Sequence, residues 1–251
     1  MTSLTQLIDY STQLLSSDKI KDYCPNGLQV EVNPQVKKIV TGVTACQALI
    51  EAAHREKADT LLVHHGYFWK NEAAPLVGLK ARRIRSLFEY QINLIAWHLP
   101  LDMHLEYGNN IQLANICGFE NPQPLDLKNP LLWHSQLDKT LSPLELTQRL
   151  TEKLNRPPLH IAGGKTEIKH LFWCTGGAQN MIEQAIMAGA DAYISGEISE
   201  STTHIAREAG IHYFAAGHHA TERYGVIALG NHLKQQFTDL EVIHIDIDNP
   251  V

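Results

Sequence analysis

The feature that most constrains this chain is a strand, helix, strand alternation that occurs in both of its halves. KKIVTGV (37–43) is a short run in which β-branched residues cluster, and DTLLVHHG (59–66) is a second apolar run. Between them ACQALIEAAHREK (45–57) carries a helical pattern, with Thr44 and Gln47 as its cap. Two strands joined by a helix over about 30 residues make a βαβ unit, whose parallel pairing and right-handed crossover follow from strand twist. The series continues with a helix at LKARRIRSLFEYQ (79–91), a strand at INLIAW (92–97) and a helix at NNIQLANIC (109–117). Ahead of it, Leu4, Leu7, Ile8, Leu14 and Leu15 mark a helix opened by a Ser3/Gln6 capping box, and CPNGLQV (24–30) reads as turn.

ENPQPLDLKNP (120–130) is Pro-rich and polar and reads as a linker. Ser142, Pro143 and Glu145 then open a helix through Leu154. Strands follow at LHIAG (159–163), KHLFWCTG (169–176), DAYISGE (191–197), IHYFAAG (211–217) and LEVIHIDI (240–247). Helices are expected through NMIEQAIMAG, STTHIAREAG and HHATERYGVIALGNHLKQQF. The halves are alike. A shift of 132 lays Ile50-Glu51 over Ile182-Glu183 and Ala58-Asp59 over Ala190-Asp191, and a shift of 119 lays Ile92, Ile95 and Ala96 over Ile211, Phe214 and Ala215. The expected fold class is therefore α/β, as two similar lobes from an internal duplication. The first lobe is 1–122 and the second 123–251, with the last strand free to pack on the first.

Composition narrows the chemistry. Lys plus Arg number 21 against 27 Asp plus Glu, a net charge of −6, so global attraction to a polyanion is excluded. The basic run Lys80, Arg82, Arg83 and Arg85 reads as a solvated helix face. No stretch of about 18 apolar residues exists, and the first residues lack a signal-peptide pattern, so a cytoplasmic protein with no membrane role is expected. The four cysteines, Cys24, Cys46, Cys117 and Cys174, are widely spaced and read as buried thiols. No Gly-rich phosphate loop with a following Lys occurs. The anomaly is 14 histidines.

Several of these converge on strand ends. His64 and His65 end the second strand, Asp102 lies shortly after the third, and His218 and His219 follow IHYFAA with Glu222 just beyond. In open parallel sheets ligands bind outside the carboxyl ends of the strands. Glu222 is four residues from His218 and three from His219, so helical spacing brings it to either. Imidazoles with carboxylates suit Zn, Fe, Mn or Ni better than Ca or Mg. Two cations are more natural than one, because adjacent histidines do not easily face the same ion whereas a carboxylate can bridge two. Such a pair would activate a water as nucleophile. His98, His104, His219 and Glu197 lie close enough in this map to orient ligands or to act as general acid and base. Tyr67, Phe68 and Trp69 are an aromatic platform for a ring or, equally, an apolar cover.

VHHGYFW (63–69), HLPLD with a following GNN (98–110), SGE (195–197) and GHHATERYG (217–225) occur in that order, and in this the chain resembles the NIF-three-like family, also labelled GTP cyclohydrolase I type 2 homologues. The resemblance covers essentially the whole length. It implies a dinuclear metal centre between the lobes, with His64, His65, Asp102, His218 and Glu222 as ligands, and a ring-like homohexamer. The function expected from residues and resemblance together is metal-dependent hydrolysis of a nucleotide or other heterocycle, with Glu197, His98 or His219 moving protons. The alternative is a metal-stabilised oligomeric scaffold whose partner is possible single-stranded DNA.

Overall fold

Strand Lys38–Thr44 sits second in a five-stranded sheet, and its neighbours explain the apolar runs. The order is Glu241–His244, Lys38–Thr44, Thr60–His65, Asn93–Ala96 and Gly27–Val30. The first four strands are parallel and the last is antiparallel. This computed structural model describes residues 2–251.

Alternate side chains of the parallel strands pack on opposite faces, both of which are covered. Val40, Leu61, Val63 and Leu94 meet Leu49, Ile50 and Ala53 of helix Gln47–Arg55 and Ile84 and Leu87 of helix Gly78–Glu89. Ile39, Leu62 and Ile95 meet Leu4, Leu7 and Leu15 of helix Leu4–Leu15 and Val226, Leu229 and Leu233 of helix Arg223–Gln236. Double-sided burial is why these strands read as continuous apolar runs. Each fully buried Leu, Ile or Val contributes about 1.5–3 kcal/mol.

A second sheet has six strands in the order Gln123–Pro124, Trp133–Leu141, Ile168–Cys174, Ala192–Ser195, His212–Ala215 and Leu159–Ile161. Its middle three are parallel, flanked by antiparallel partners. One face buries Trp133, Leu171, Trp173 and Phe214 under helices Asn109–Cys117 and Pro143–Leu154. The other buries Phe172, Tyr193 and Tyr213 with Ile182 and Ala206.

The duplication extends to topology. In each sheet the strand that precedes the parallel trio, Gly27–Val30 or Leu159–Ile161, pairs antiparallel with the trio's third strand. Strands Thr60–His65 and Ala192–Ser195 begin 132 residues apart, and Asn93–Ala96 and His212–Ala215 begin 119 apart, the two shifts read from sequence.

The compact units do not follow the division at residue 122. One comprises Met1–Leu101 with Gly225–Asp248, the other Asp102–Tyr224 with Asn249–Val251. Strand Glu241–His244 pairs with Lys38–Thr44, and helix Arg223–Gln236 supplies one face of the first core, so residues 225–248 return to the first unit. Helix Asn109–Cys117, placed by sequence in the first lobe, packs in the second, where Leu113 and Ala114 join Leu146 and Trp173.

Several local expectations change too. The segment read as turn holds strand Gly27–Val30, a short edge strand whose Gly27 has φ 97°. The 120–130 linker carries the two-residue strand Gln123–Pro124. Residues 131–141, given no element, form the nine-residue strand Trp133–Leu141, in which Trp133, Ser135 and Leu137 alternate inward. Helix Gln47–Arg55 has Cys46 at its cap with no side-chain cap bond, because the Thr44 hydroxyl lies on His65 Nδ1 instead. The capping boxes at Ser3/Gln6 and Ser142/Glu145 form as expected. Among the described residues no helix is long and apolar enough to cross a membrane.

Candidate metal centre

In the first unit the strand ends gather three imidazoles. His64 and His65 close strand Thr60–His65, and His98 follows strand Asn93–Ala96 across a parallel pairing. Ring nitrogens of the three lie within 4.8 Å of one another. His64 is fully buried, and its Nδ1 is 2.9 Å from the carbonyl oxygen of Trp97. A carbonyl only accepts, so Nδ1 carries the proton and Nε2 the lone pair. His65 Nδ1 is 3.2 Å from the Thr44 hydroxyl, and His98 Nδ1 is 2.7 Å from Asp22 Oδ1. On His64 and His98 an acceptor at Nδ1 leaves Nε2 of the neutral ring as the nitrogen to present, the arrangement expected of metal-binding histidines, while the Thr44 hydroxyl on His65 can donate or accept.

Trp69 stands beside this cluster, its ring centre 5.9 Å from His65 and 4.9 Å, edge-on, from His98. The aromatic run is thereby divided. Tyr67 is buried with its hydroxyl donating to Ala45 O at 2.6 Å, and Phe68 lies under the Lys80 ammonium, 5.0 Å from its ring centre.

The second unit gathers the carboxylates. Helix Leu99–Met103 carries Asp102, which is 6% exposed and accepts at Oδ1 from Asn109 Nδ2 at 2.7 Å. Asn110, fully buried, donates to the Asp102 carbonyl, accepts from Trp173 Nε1, and accepts from the Thr175 amide. These bonds tie Asp102 to the carboxyl end of strand Ile168–Cys174.

The long helix expected from His218 onward is broken. Helix His218–Thr221 ends at Glu222, whose φ of −109° and ψ of 9° precede a new helix, Arg223–Gln236. The spacing still delivers its partner: His218 Nε2 lies 3.1 Å from Glu222 Oε2, while Nδ1 lies 2.7 Å from Glu197 Oε1. Burial opposes charge on His218, but its hydrogen bonds with Glu222 and Glu197 and their charges outweigh that and raise its pKa to about 9. Glu222 itself is 3% exposed. Burial first, then the charges of Asp102 and Glu222, push the Cys174 thiol well above its ordinary pKa, so it stays a protonated core thiol.

The remaining expected residues fall as follows. His219 is buried, and its backbone amide donates to Val251 O at 2.9 Å. His104 Nδ1 accepts the amides of Glu106 and Tyr107 and its ring stacks on Tyr107, which folds the loop between Asp102 and Asn109. Histidines away from the site have other partners: His54 stacks on Tyr90, and His160 pairs with His212.

Sequence reasoning passed over two parts of the site. Asp22 is 76 residues from His98, and no spacing links them. Gly176 and Gly177 form the floor beside His218. A Cβ at Gly176 would fall 1.9 Å from Glu222 Oε1, and Gly176 O accepts from the Gly196 and Glu197 amides. The paired glycines at the end of KHLFWCTGG were the available signal.

The chain is 54% identical over 255 residues to a Vibrio cholerae protein named GTP cyclohydrolase 1 type 2 homolog, covering 98% of each. It is 50% identical over 250 residues to a Pseudomonas aeruginosa protein of the same name, covering 99% of this chain and 98% of that one. A solved structure described as protein ybgI, of unknown function, superposes with a TM-score of 0.95 at 46% identity and full coverage of both chains. The family description Duf34/NIF3 (NGG1p interacting factor 3) matches residues 2–250, and the chain belongs to that family.

Proposed function

We propose that the protein holds two divalent cations with His64, His65, Asp102, His218 and Glu222 and hydrolyses a nucleotide or other heterocycle. The observation that carries this reading is the fixing of donors from behind: Trp97 O on His64, Thr44 on His65, Glu197 on His218 and Asn109 on Asp102. With Trp97 O on Nδ1, the neutral His64 ring offers its Nε2 lone pair, and imidazoles held from behind in this way are the usual setting of metal ligands. The donor set fits Zn, Fe, Mn or Ni, since imidazole is a borderline ligand and the carboxylates are hard.

A bound pair would supply Lewis acidity and a water of lowered pKa. The chain's own residues do the rest. Glu197 holds the His218 ring by Nδ1, the orienting one of the two roles open to it. Asn109 and Asn110 fix Asp102. Gly176 leaves room for the Glu222 carboxylate. Trp69 and the exposed Tyr23, which both flank His98, offer flat apolar surface to a planar ring. The reading includes a homohexamer, which sedimentation equilibrium tests by mass.

Elemental analysis of purified protein is the first test. About two equivalents of metal per chain are expected, reduced in His65→Ala and Glu222→Ala, and metal content below one that neither variant changes would sink the reading. The relatives' name makes GTP the first substrate to try. Formate release from GTP by metal-loaded protein supports ring opening, and none with any of the four metals removes that substrate.

A further inference from the structure

Asp22 lies outside every motif, yet its side chain is only 3% exposed and accepts four hydrogen bonds. It receives the Tyr23 amide, Asn26 Nδ2 at 2.8 Å, the Leu99 amide at 2.9 Å and His98 Nδ1 at 2.7 Å. Asn26 in turn accepts the His98 amide through Oδ1 at 2.7 Å. The backbone leaving strand Asn93–Ala96 and the His98 ring are therefore clamped by the same two side chains. A carboxylate has no proton to give, so Nδ1 is the donor and, in the neutral ring, Nε2 carries the lone pair. The His98 ring centre lies 5.1 Å from that of His64 and 5.7 Å from that of His65.

We propose that Asp22 is a positioning residue that fixes His98 as a third imidazole donor beside His64 and His65. The proposal rests on the metal reading above. It accounts for a buried carboxylate whose side-chain partners among the bonds just described are His98 and Asn26. Consistent with an ionised Asp22, its pKa falls to about 2: burial opposes this, and the His98 and Asn26 hydrogen bonds overcome it. Cys24 also lies within reach of Asp22 and His98, but burial and then the Asp22 charge push its thiol to about 12, so it remains protonated and is not the donor.

Two measurements test the assignment. In metal-free protein, long-range proton–nitrogen correlation spectra read the tautomer of His98 directly. The proton is expected on Nδ1, with that preference lost in Asp22→Ala. In calorimetric titration with zinc, Asp22→Ala and His98→Ala are each expected to weaken one binding event about 10–100-fold, with no further loss in the double variant. Asp22→Asn keeps an acceptor for the backbone amides and serves if the alanine variant does not fold; it is expected to weaken zinc binding to a smaller degree. A proton on Nε2 in the metal-free wild type overturns the proposal. So does zinc binding by His98→Ala or by both Asp22 variants that matches the wild type. Wild-type protein that takes up no zinc or other divalent metal overturns the metal reading and this donor role together, whereas the His98 tautomer shows separately whether Asp22 orients the ring.

Discussion

Asp59 and Asp191, 132 residues apart, make the same bonds in two different sheets. Asp59 Oδ2 accepts the amides of Lys37 and Lys38 at 2.9 and 3.2 Å, and Asp191 Oδ2 accepts those of Lys169 and His170 at 2.9 and 2.8 Å. Their own amides donate to Lys38 O and His170 O, and their carbonyls accept from Asn93 and His212 at the start of the third parallel strand. One aspartate, by its carboxylate and its backbone together, thus ties three strands at their amino ends. Duplicated strand ends follow from duplicated starts.

This relationship makes stability pH-dependent. The Asp191 pKa is lowered: burial opposes the shift, while the Lys165 ammonium and the His170 and Lys169 amides outweigh it. A depressed carboxylate stabilises the fold above its unfolded value, about 3.9, and that contribution disappears as pH falls through the folded value. Asp191→Asn is expected to cost about 1–3 kcal/mol at pH 7 in urea unfolding. The gap between variant and wild type should shrink below about pH 4. A gap that is constant with pH would show that ionisation of Asp191 does not matter.

Glu197 touches His218 on the nitrogen away from Glu222. Removing it in Glu197→Ala should weaken metal binding about 10–100-fold, with Glu197→Gln recovering part of the loss because an acceptor oxygen remains. Calorimetric titration measures both, and affinity equal to wild type in the alanine variant would refute the orienting role.

Gly176 has φ 67°, and a Cβ there meets Glu222 Oε1 at 1.9 Å. Gly176→Ala combines left-handed strain of about 1–2 kcal/mol with displacement of a buried carboxylate. A lower melting temperature and reduced metal uptake are expected together. A variant that melts lower but takes up metal normally would place Glu222 outside the ligand set.

Ser142 accepts the Glu145 amide at 3.2 Å, and the Glu145 carboxylate accepts the Ser142 amide at 2.7 Å. Ser142→Ala should cost about 1 kcal/mol in urea unfolding and leave metal content unchanged. Loss of metal in this variant would contradict the separation of cap and site.

How far the sequence alone reaches can be judged residue by residue. Capping boxes, the parallel runs and the 132-residue shift were legible because they depend on bonds within a few residues or on burial along one strand. Helical spacing likewise foretold that Glu222 meets a histidine four or three residues before it. Strand Trp133–Leu141 was not legible, since its inward alternation includes Ser135 and is interrupted by polar residues facing out. Nor was strand Gly27–Val30, whose turn-forming Gly27 sits against the Trp97 ring.

What only tertiary structure decided was which polar group stands behind each donor, and which unit each segment joins. Asp22 reaches His98 across 76 residues, Thr44 leaves its expected helix cap for His65, and the last strand returns to Lys38–Thr44. Such contacts carry no local periodicity. They exist because parallel strands deliver their carboxyl ends to one edge, where backbone groups and side chains distant in sequence must satisfy one another away from water.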